Sequence, residues 1–183
     1  MLVIMSGVSG VGKNTIIREL IKQFKNMQFF HSVTTRPVRD GEDIYINMTA
    51  EEFADAEKKG KFFETAEVHG YMYGTLNETL DKIIKNKNKI YIKDIDVYGN
   101  QAFRKHLDGK AKVLSIFLDA PNEVLYERLI NRGESEERAK TRISRGEMER
   151  QHKHEYDLLI ENIDMERTIK VIKDRLKKEG FVC

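Results

Sequence analysis

The sequence predicts an α/β domain in which a five-stranded parallel sheet is flanked by helices on both faces. Three observations carry that prediction. Short apolar runs and helical patterns alternate along most of the 183 residues. The first run leads straight into a glycine-rich turn, "GVSGVGKNT" (7–15), that opens a helix. One stretch, 34–76, breaks the alternation and reads as a lobe inserted into the core.

The elements follow in chain order. "LVIMS" (2–6) is a short apolar run and reads as a buried strand. In "NTIIRELIKQFK" (14–25), Ile16, Ile17, Leu20, Ile21 and Phe24 recur at helical spacing, so one face is buried. "FFHSV" (29–33) is the second strand. Within the inserted stretch, Thr49 and Glu52 form a capping box that starts a helix at "TAEEF" (49–53). "KFFETAEVHGYMYGT" (61–75) is rich in aromatic and β-forming residues and reads as short strands or a hairpin. A helix at 77–87 returns the chain to the core. "KIYIKDI" (89–95), "VLSIFL" (113–118) and "DLLIE" (157–161) supply the remaining strands. Helical patterns cover 122–132, 135–155 and 165–178, and no element is assigned between 95 and 113. Ligands of such sheets collect at the carboxyl ends of the strands.

Composition narrows the class. Hydrophobic residues make up 40% and charged residues 34%, an ordinary globular balance. A net charge of +2 is too small to indicate a nucleic-acid partner. The single cysteine, Cys183, permits no disulfide within the chain and fits a reducing compartment. "MLVIM" (1–5) is too short and lacks the basic lead-in of a signal peptide. No apolar run approaches the roughly 20 residues needed to cross a bilayer. The expected location is the cytoplasm, with no membrane partner. The histidines at 31, 69, 106, 152 and 154 show no metal-ligand spacing.

The turn at 7–15 spells G-x-x-x-x-G-K through Gly7, Gly12 and Lys13. Such a turn aims several backbone N–H groups at one point, and the helix dipole adds positive potential there. Lys13 supplies a full charge for outer phosphates. A tight strand–helix turn would explain the glycines but not a lysine directly after Gly12. The next position normally offers a hydroxyl to Mg²⁺, but here it is Asn14, whose carbonyl oxygen can reach the metal directly or through water. Thr15 is the next hydroxyl, and helical geometry turns it to another side.

A second anion site is legible in "HSVTTRPVRDGE" (31–42), at the carboxyl end of a strand. Arg36 and Arg39, three apart, form a fork suited to one phosphate dianion. A solvated basic loop is the plain alternative, and the phosphate loop argues against it.

Together "SGVSGVGKNT", "SVTTRPVRDGE", "FFETAEVHGYMYGT", "DIDVYG", "RLINRG" and "IEN" resemble the guanylate kinase family. They occur in the family's order and span nearly the whole chain. The resemblance implies a P-loop kinase core at 1–33, 77–124 and 156–183, a GMP-binding lobe at 34–76 and a helical lid at about 125–155. It implies transfer of the γ-phosphate of ATP to GMP or dGMP, with Mg²⁺ accompanying ATP. ATP is then held by Gly7, Ser9, Gly10, Val11, Gly12, Lys13, Asn14 and Thr15, with Arg132 and Asn162 nearby. The GMP phosphate meets Arg36, Arg39, Tyr45 and Tyr73. The guanine is read by Ser32, Glu64, Thr75 and Asp94, with Gly74 beside them. Carboxylates suit guanine's N1 and N2 donors, and hydroxyls suit O6.

The resemblance casts Lys13, Arg36, Arg132 and Arg142 as the catalytic cations. Asp96 is left as structural, or linked to the metal through water. Arg128, Arg138, Arg145 and Arg150 read as mostly solvated. No strong general base is present or required, because the GMP phosphate is already an anionic nucleophile. Three departures stand out: Asn14, a shortened segment between Glu42 and Tyr45, and Lys93 where the family commonly has an apolar residue. Lys93 can pair with a carboxylate or run its stem along the sheet. Two rivals remain open: a kinase for another nucleoside monophosphate or a sugar phosphate, and a non-catalytic binding module of the same fold. Monomer and homodimer are equally open.

Overall fold

The computed structural model describes residues 1–37, 45–68 and 70–181. β1 (Leu2–Gly7) runs through the centre of the main sheet and is buried at every position. A central parallel strand faces helices on both sides, so it cannot alternate with polar residues. Its side chains do alternate between two cores. Val3 and Met5 join Ile16, Ile17 and Leu20 of α1 (Lys13–Gln23) on one face. Leu2 and Ile4 join Phe30, Leu80, Phe103 and Leu107 on the other.

The chain continues through β2 (Met27–Phe29) and enters the lobe at β3 (Ser32–Thr34). The lobe adds β4 (Tyr45–Asn47), α2 (Ala50–Lys58), β5 (Phe62–Val68) and β6 (Tyr71–Leu76). Its sheet runs β4–β3–β6–β5. β5 and β6 form the antiparallel hairpin expected from 61–75. Thr49 and Glu52 close the expected capping box on α2. Among the described residues, Val33, Phe53 and Leu76 form the lobe's buried cluster, with Phe62 stacked on Phe53 at 4.4 Å.

α3 (Asn77–Lys85) leads back to β7 (Ile90–Asp94), α4 (Val97–Leu107), β8 (Val113–Asp119) and α5 (Asn122–Asn131). α6 (Glu136–Gln151), a short 3₁₀ turn, β9 (Leu158–Glu161) and α7 (Met165–Lys178) complete the fold. The main sheet is β2–β7–β1–β8–β9, parallel throughout. β7 and β8 flank β1 on opposite sides, so the strand order reverses at β1. The loop that follows β1 therefore opens at the switch point where such sheets bind ligands.

Three expectations change. The single strand at 29–33 is two strands in different sheets. Phe30 is anchored in the core, and its N–H donates to the Ile92 carbonyl at 2.9 Å, after which the chain leaves for the lobe. The lobe's sheet thus begins at Ser32, ahead of residue 34. α4 had no counterpart in the sequence reading, yet Asp96 caps it by accepting from the Gly99 N–H at 2.7 Å. Val97, Phe103 and Leu107 bury one face of α4, while Gly99 and Asn100 break up the apolar pattern. The long helix expected at 135–155 ends at Gln151.

Candidate active site

The phosphate loop is shaped by backbone geometry. Gly12 sits at φ 99°, a left-handed conformation that glycine adopts without strain. A Cβ on Gly7 would lie 2.1 Å from the Leu118 carbonyl oxygen, so no side chain fits there. Gly12 caps α1 without a side-chain hydrogen bond, and the first turn carries no acidic residue. By contrast, Thr49, Asp96, Ser135 and Asp164 side chains cap α2, α4, α6 and α7. The amides at the start of α1 are left to an incoming anion. Lys13 Nζ folds onto the loop and donates to the Gly7 carbonyl at 2.6 Å.

The loop is pinned from behind. Val11 is fully buried, and its carbonyl accepts from Asn162 Nδ2 at 2.7 Å. Asn162 Oδ1 takes the Thr168 hydroxyl at 2.8 Å. Asn162 is 3% exposed, so its amide is spent inside the protein as a loop clamp. A cavity of about 360 Å³ opens beside it, lined by Gly10, Gly12, Thr15, Arg128, Arg132 and Met165 among others. Thr15 faces this cavity, as its helical phase required.

The sequence reading passed over Arg128. It donates to the Val11 carbonyl and to the Ile163 carbonyl, each at 3.3 Å, and forms one wall of that cavity. Arg150, also read as solvated, ties α6 to the end of β8. Its Nε donates to both Asp119 carboxylate oxygens, at 2.9 and 3.1 Å. Charge alone did not separate these two from Arg138 and Arg145, which are exposed.

The lobe gathers the second set. Arg36 Nε donates to the Tyr73 hydroxyl at 3.1 Å, and the guanidinium lies 5.5 Å over the Tyr45 ring. Tyr45 and Tyr73 meet edge to face at 5.7 Å. The shortened segment before Tyr45 therefore still delivers its ring to the cluster. Arg39 and Glu42 lie outside the described residues. Ser32 starts β3, next to Val33, which pairs with Gly74. Glu64 and Thr75 face each other across the hairpin, and the Thr75 hydroxyl donates to Glu64 Oε1 at 2.9 Å. Thr75 is fully buried, whereas the Glu64 side chain is 37% exposed. Glu64 is thus the member of this pair open to a ligand. A Cβ on Gly74 would strike the Phe62 ring at 2.7 Å, which gives that glycine a packing reason.

Acidic groups meet between the two sets. Asp94 ends β7, directly across from Met5 of β1. Burial raises its pKa, partly opposed by the Lys13 ammonium. Glu149, which no motif flagged, reaches the same neighbourhood from α6. Burial raises its pKa as well, again against Lys13, and Oε2 has no hydrogen-bond partner among the described residues. Gly146 explains how α6 comes so close, since a Cβ there would lie 3.0 Å from Val8 of the loop. Glu149 follows one turn later. Arg142, on the same helix, pairs with Glu134, and Arg132 is exposed at the end of α5. Asp96 is exposed and serves as the α4 cap. A further cavity of about 850 Å³ lies by Met1, Lys112 and Phe181, away from both sets.

A backbone-built phosphate cup, an arginine–tyrosine anion cluster on an inserted lobe and an arginine-bearing helix between them define a P-loop kinase of small phosphorylated acceptors. The family model described as guanylate kinase matches residues 1–179, and the chain belongs to the guanylate kinase family. A guanylate kinase of Helicobacter pylori is 38% identical over 93% of this chain and 84% of its own. One from Thermotoga maritima is 34% identical over 97% of this chain and 86% of its own. The crystal structure of guanylate kinase from Anaplasma phagocytophilum superposes with a TM-score of 0.71 at 29% identity, covering 98% of this chain and 85% of that one.

Proposed function

We propose that the protein transfers the γ-phosphate of ATP to GMP, giving ADP and GDP. One observation carries the reading. A phosphate cup with Lys13 and an anion cluster of Arg36, Tyr45 and Tyr73 belong to one chain whose lobe also presents a carboxylate, Glu64, for a base.

The loop amides and Lys13 hold the outer phosphates of ATP. The cavity walled by Arg128, Thr15 and Asn162 lies behind them and takes the nucleoside. Arg36, oriented by Tyr73, holds the GMP phosphate together with Tyr45 and Arg39. Glu64 and Asp94 accept from the guanine N1 and N2 donors, with Ser32 and Thr75 supporting them. Adenine has no such donor edge, so AMP leaves buried acceptors unpaired and is rejected.

Transfer places two anions end to end, and cations offset the repulsion. Arg142 exchanges Glu134 for the transferring phosphoryl group as α5 and α6 close, and Arg132 joins it. Closure also excludes the water that would otherwise hydrolyse ATP.

The donor set beside Lys13 fits a hard cation. Asn14 presents its amide to solvent on the first turn of α1, and Asp96 keeps one carboxylate oxygen beyond its cap to Gly99. Mg²⁺ would be held by phosphate oxygens and water, with Asn14 touching it directly or through water and Asp96 through water. When bound it neutralises charge on the β- and γ-oxygens. We place the enzyme in the cytoplasm, in purine nucleotide supply, as a monomer or homodimer without nucleic acid. Among the described residues, no helix is long and apolar enough to cross a membrane.

The test is turnover of GMP, dGMP, AMP, UMP and CMP with ATP and Mg²⁺. GMP and dGMP should stand well above the others. Equal use of AMP would refute the base assignment, and failure to bind ATP would favour a non-catalytic module.

A further inference from the structure

Lys93 follows the apolar run Ile90–Ile92 of β7 and pairs with Ile4 of β1, yet it is only 4% exposed. Its Nζ sits 4.8 Å from the ring centroids of both Phe30 and Phe103. It donates to Thr75 Oγ1 at 2.5 Å and stands 3.8 Å from Glu64 Oε1. The charged groups acting on it are Glu64 from β5, Asp94 from its own strand and Asp96 at the start of α4. Burial in this aromatic bed lowers its pKa to about 8 despite those three carboxylates.

We propose that Lys93 is a positioning residue for base selection, which anchors the hydrogen-bond chain Lys93–Thr75–Glu64 and so holds the Glu64 carboxylate in place toward the base. The reasoning is a count of protons. An ammonium has donors only, and a hydroxyl has one proton. Lys93 takes a lone pair of Thr75, so the Thr75 proton goes to Glu64 Oε1, the partner found at 2.9 Å. Oε1 is then engaged from inside the protein. Oε2 is left to receive a donor from the ligand, which guanine has at N1 and N2 and adenine lacks at N1. Remove the ammonium and the Thr75 hydroxyl loses the donor that fixes its lone pair, so it can rotate away from Glu64 Oε1. The carboxylate is then no longer held in place against the guanine N1 and N2 donors, and the preference over adenine weakens. The cation thus acts on the base without touching it.

This inference rests on reading Glu64 as the base-facing residue, so the experiment separates the two. Steady-state kinetics with GMP and with AMP would be measured for the parent, Lys93→Met, Thr75→Val, the double variant and Glu64→Gln, with melting curves for each. Lys93→Met should raise the GMP KM about tenfold and lower the GMP-to-AMP ratio of kcat/KM by about as much, leaving the ATP KM unchanged. Thr75→Val should do the same, and the double variant should be no worse than the worse single. Multiplying effects in the double variant, or GMP and ATP KM values rising together, would overturn the proposal. If Glu64→Gln raises the GMP KM and a folded Lys93→Met does not, only this inference falls. If Glu64→Gln leaves the GMP KM unchanged, the base reading falls and this inference with it.

Discussion

Beneath the phosphate loop lie Val3, Met5, Ile16, Ile17 and Leu20, all fully buried, within the main core of the molecule. Beneath the cluster of Arg36, Tyr45 and Tyr73 lie, among the described residues, only Val33, Phe53 and Leu76 as a buried core cluster. The first site is made of backbone amides fixed by glycine geometry and clamped by Asn162. The second is made of side chains on short strands of a small lobe. A triphosphate tail is the same on every nucleotide, so amides suffice to hold it. One base must be told from another, and only side chains offer that choice. Asn14 and Lys93 fall on opposite sides of this contrast. Asn14 changes a side chain at a site that works through its backbone. Lys93 changes the wiring of a site that works through side chains.

The largest expected effect tests the backbone site. Lys13→Ala should lower kcat by about 10²–10³-fold, with the melting temperature and GMP KM close to the parent. Near-normal turnover of a folded variant would remove the loop from the chemistry.

Next comes the buried cation on the side-chain site. Lys93 titrates near 8 when folded and at 10.5 in its ordinary state. Between those values the unfolded chain binds the extra proton, so stability rises with pH across that window. Below about pH 8 the full burial cost is present. Lys93→Met should therefore relieve that burial cost at pH 7, and its stability relative to the parent against urea should fall toward pH 10.5. A site residue whose removal stabilises the fold is one kept for function. A loss of stability at pH 7 would contradict the burial cost assigned to it.

Asn162→Ala sharpens the comparison from the other side. It leaves the Val11 carbonyl with the longer 3.3 Å bond from Arg128 and takes the acceptor from the Thr168 hydroxyl, a cost of about 2 kcal/mol. The ATP KM should rise several-fold while the GMP KM holds. Similar shifts in both would mean that the clamp does not act on the loop alone.

The smallest effect is in the lobe. Thr49→Ala removes the capping box of α2 and should cost about 1 kcal/mol. With so small a core beneath it, the lobe should show faster amide exchange in α2 than α1 does. Unchanged exchange in α2 would show that the lobe is tied down by more than its own cluster.

Local signals made much of this visible before the fold. The loop glycines, the strand before it and the helix after it are contiguous, so each constrains the next through backbone geometry. The capping box of α2 and the hairpin of β5 and β6 are likewise local. The split of 29–33 was not visible, because a single apolar run cannot show that its halves pair with different sheets. α4 escaped because Gly99 and Asn100 interrupt its apolar face, and an Asp at the end of a strand suits a metal as readily as a helix cap. Arg128 and Arg150 looked like Arg138 and Arg145, since solvation is decided by what packs nearby and not by charge.

The sequence by itself determined most of the strands and helices, the phosphate loop and the kinds of side chain available to the second site, because these depend on residues adjacent in the chain. Only the tertiary structure decided that Asn162 holds the loop 151 residues away, that Glu149 approaches Lys13 over Gly146, and that Lys93 lies beneath Thr75 and Glu64. Those relations depend on which strands become neighbours, and burial then sets the direction of each hydrogen bond and the protonation of each group.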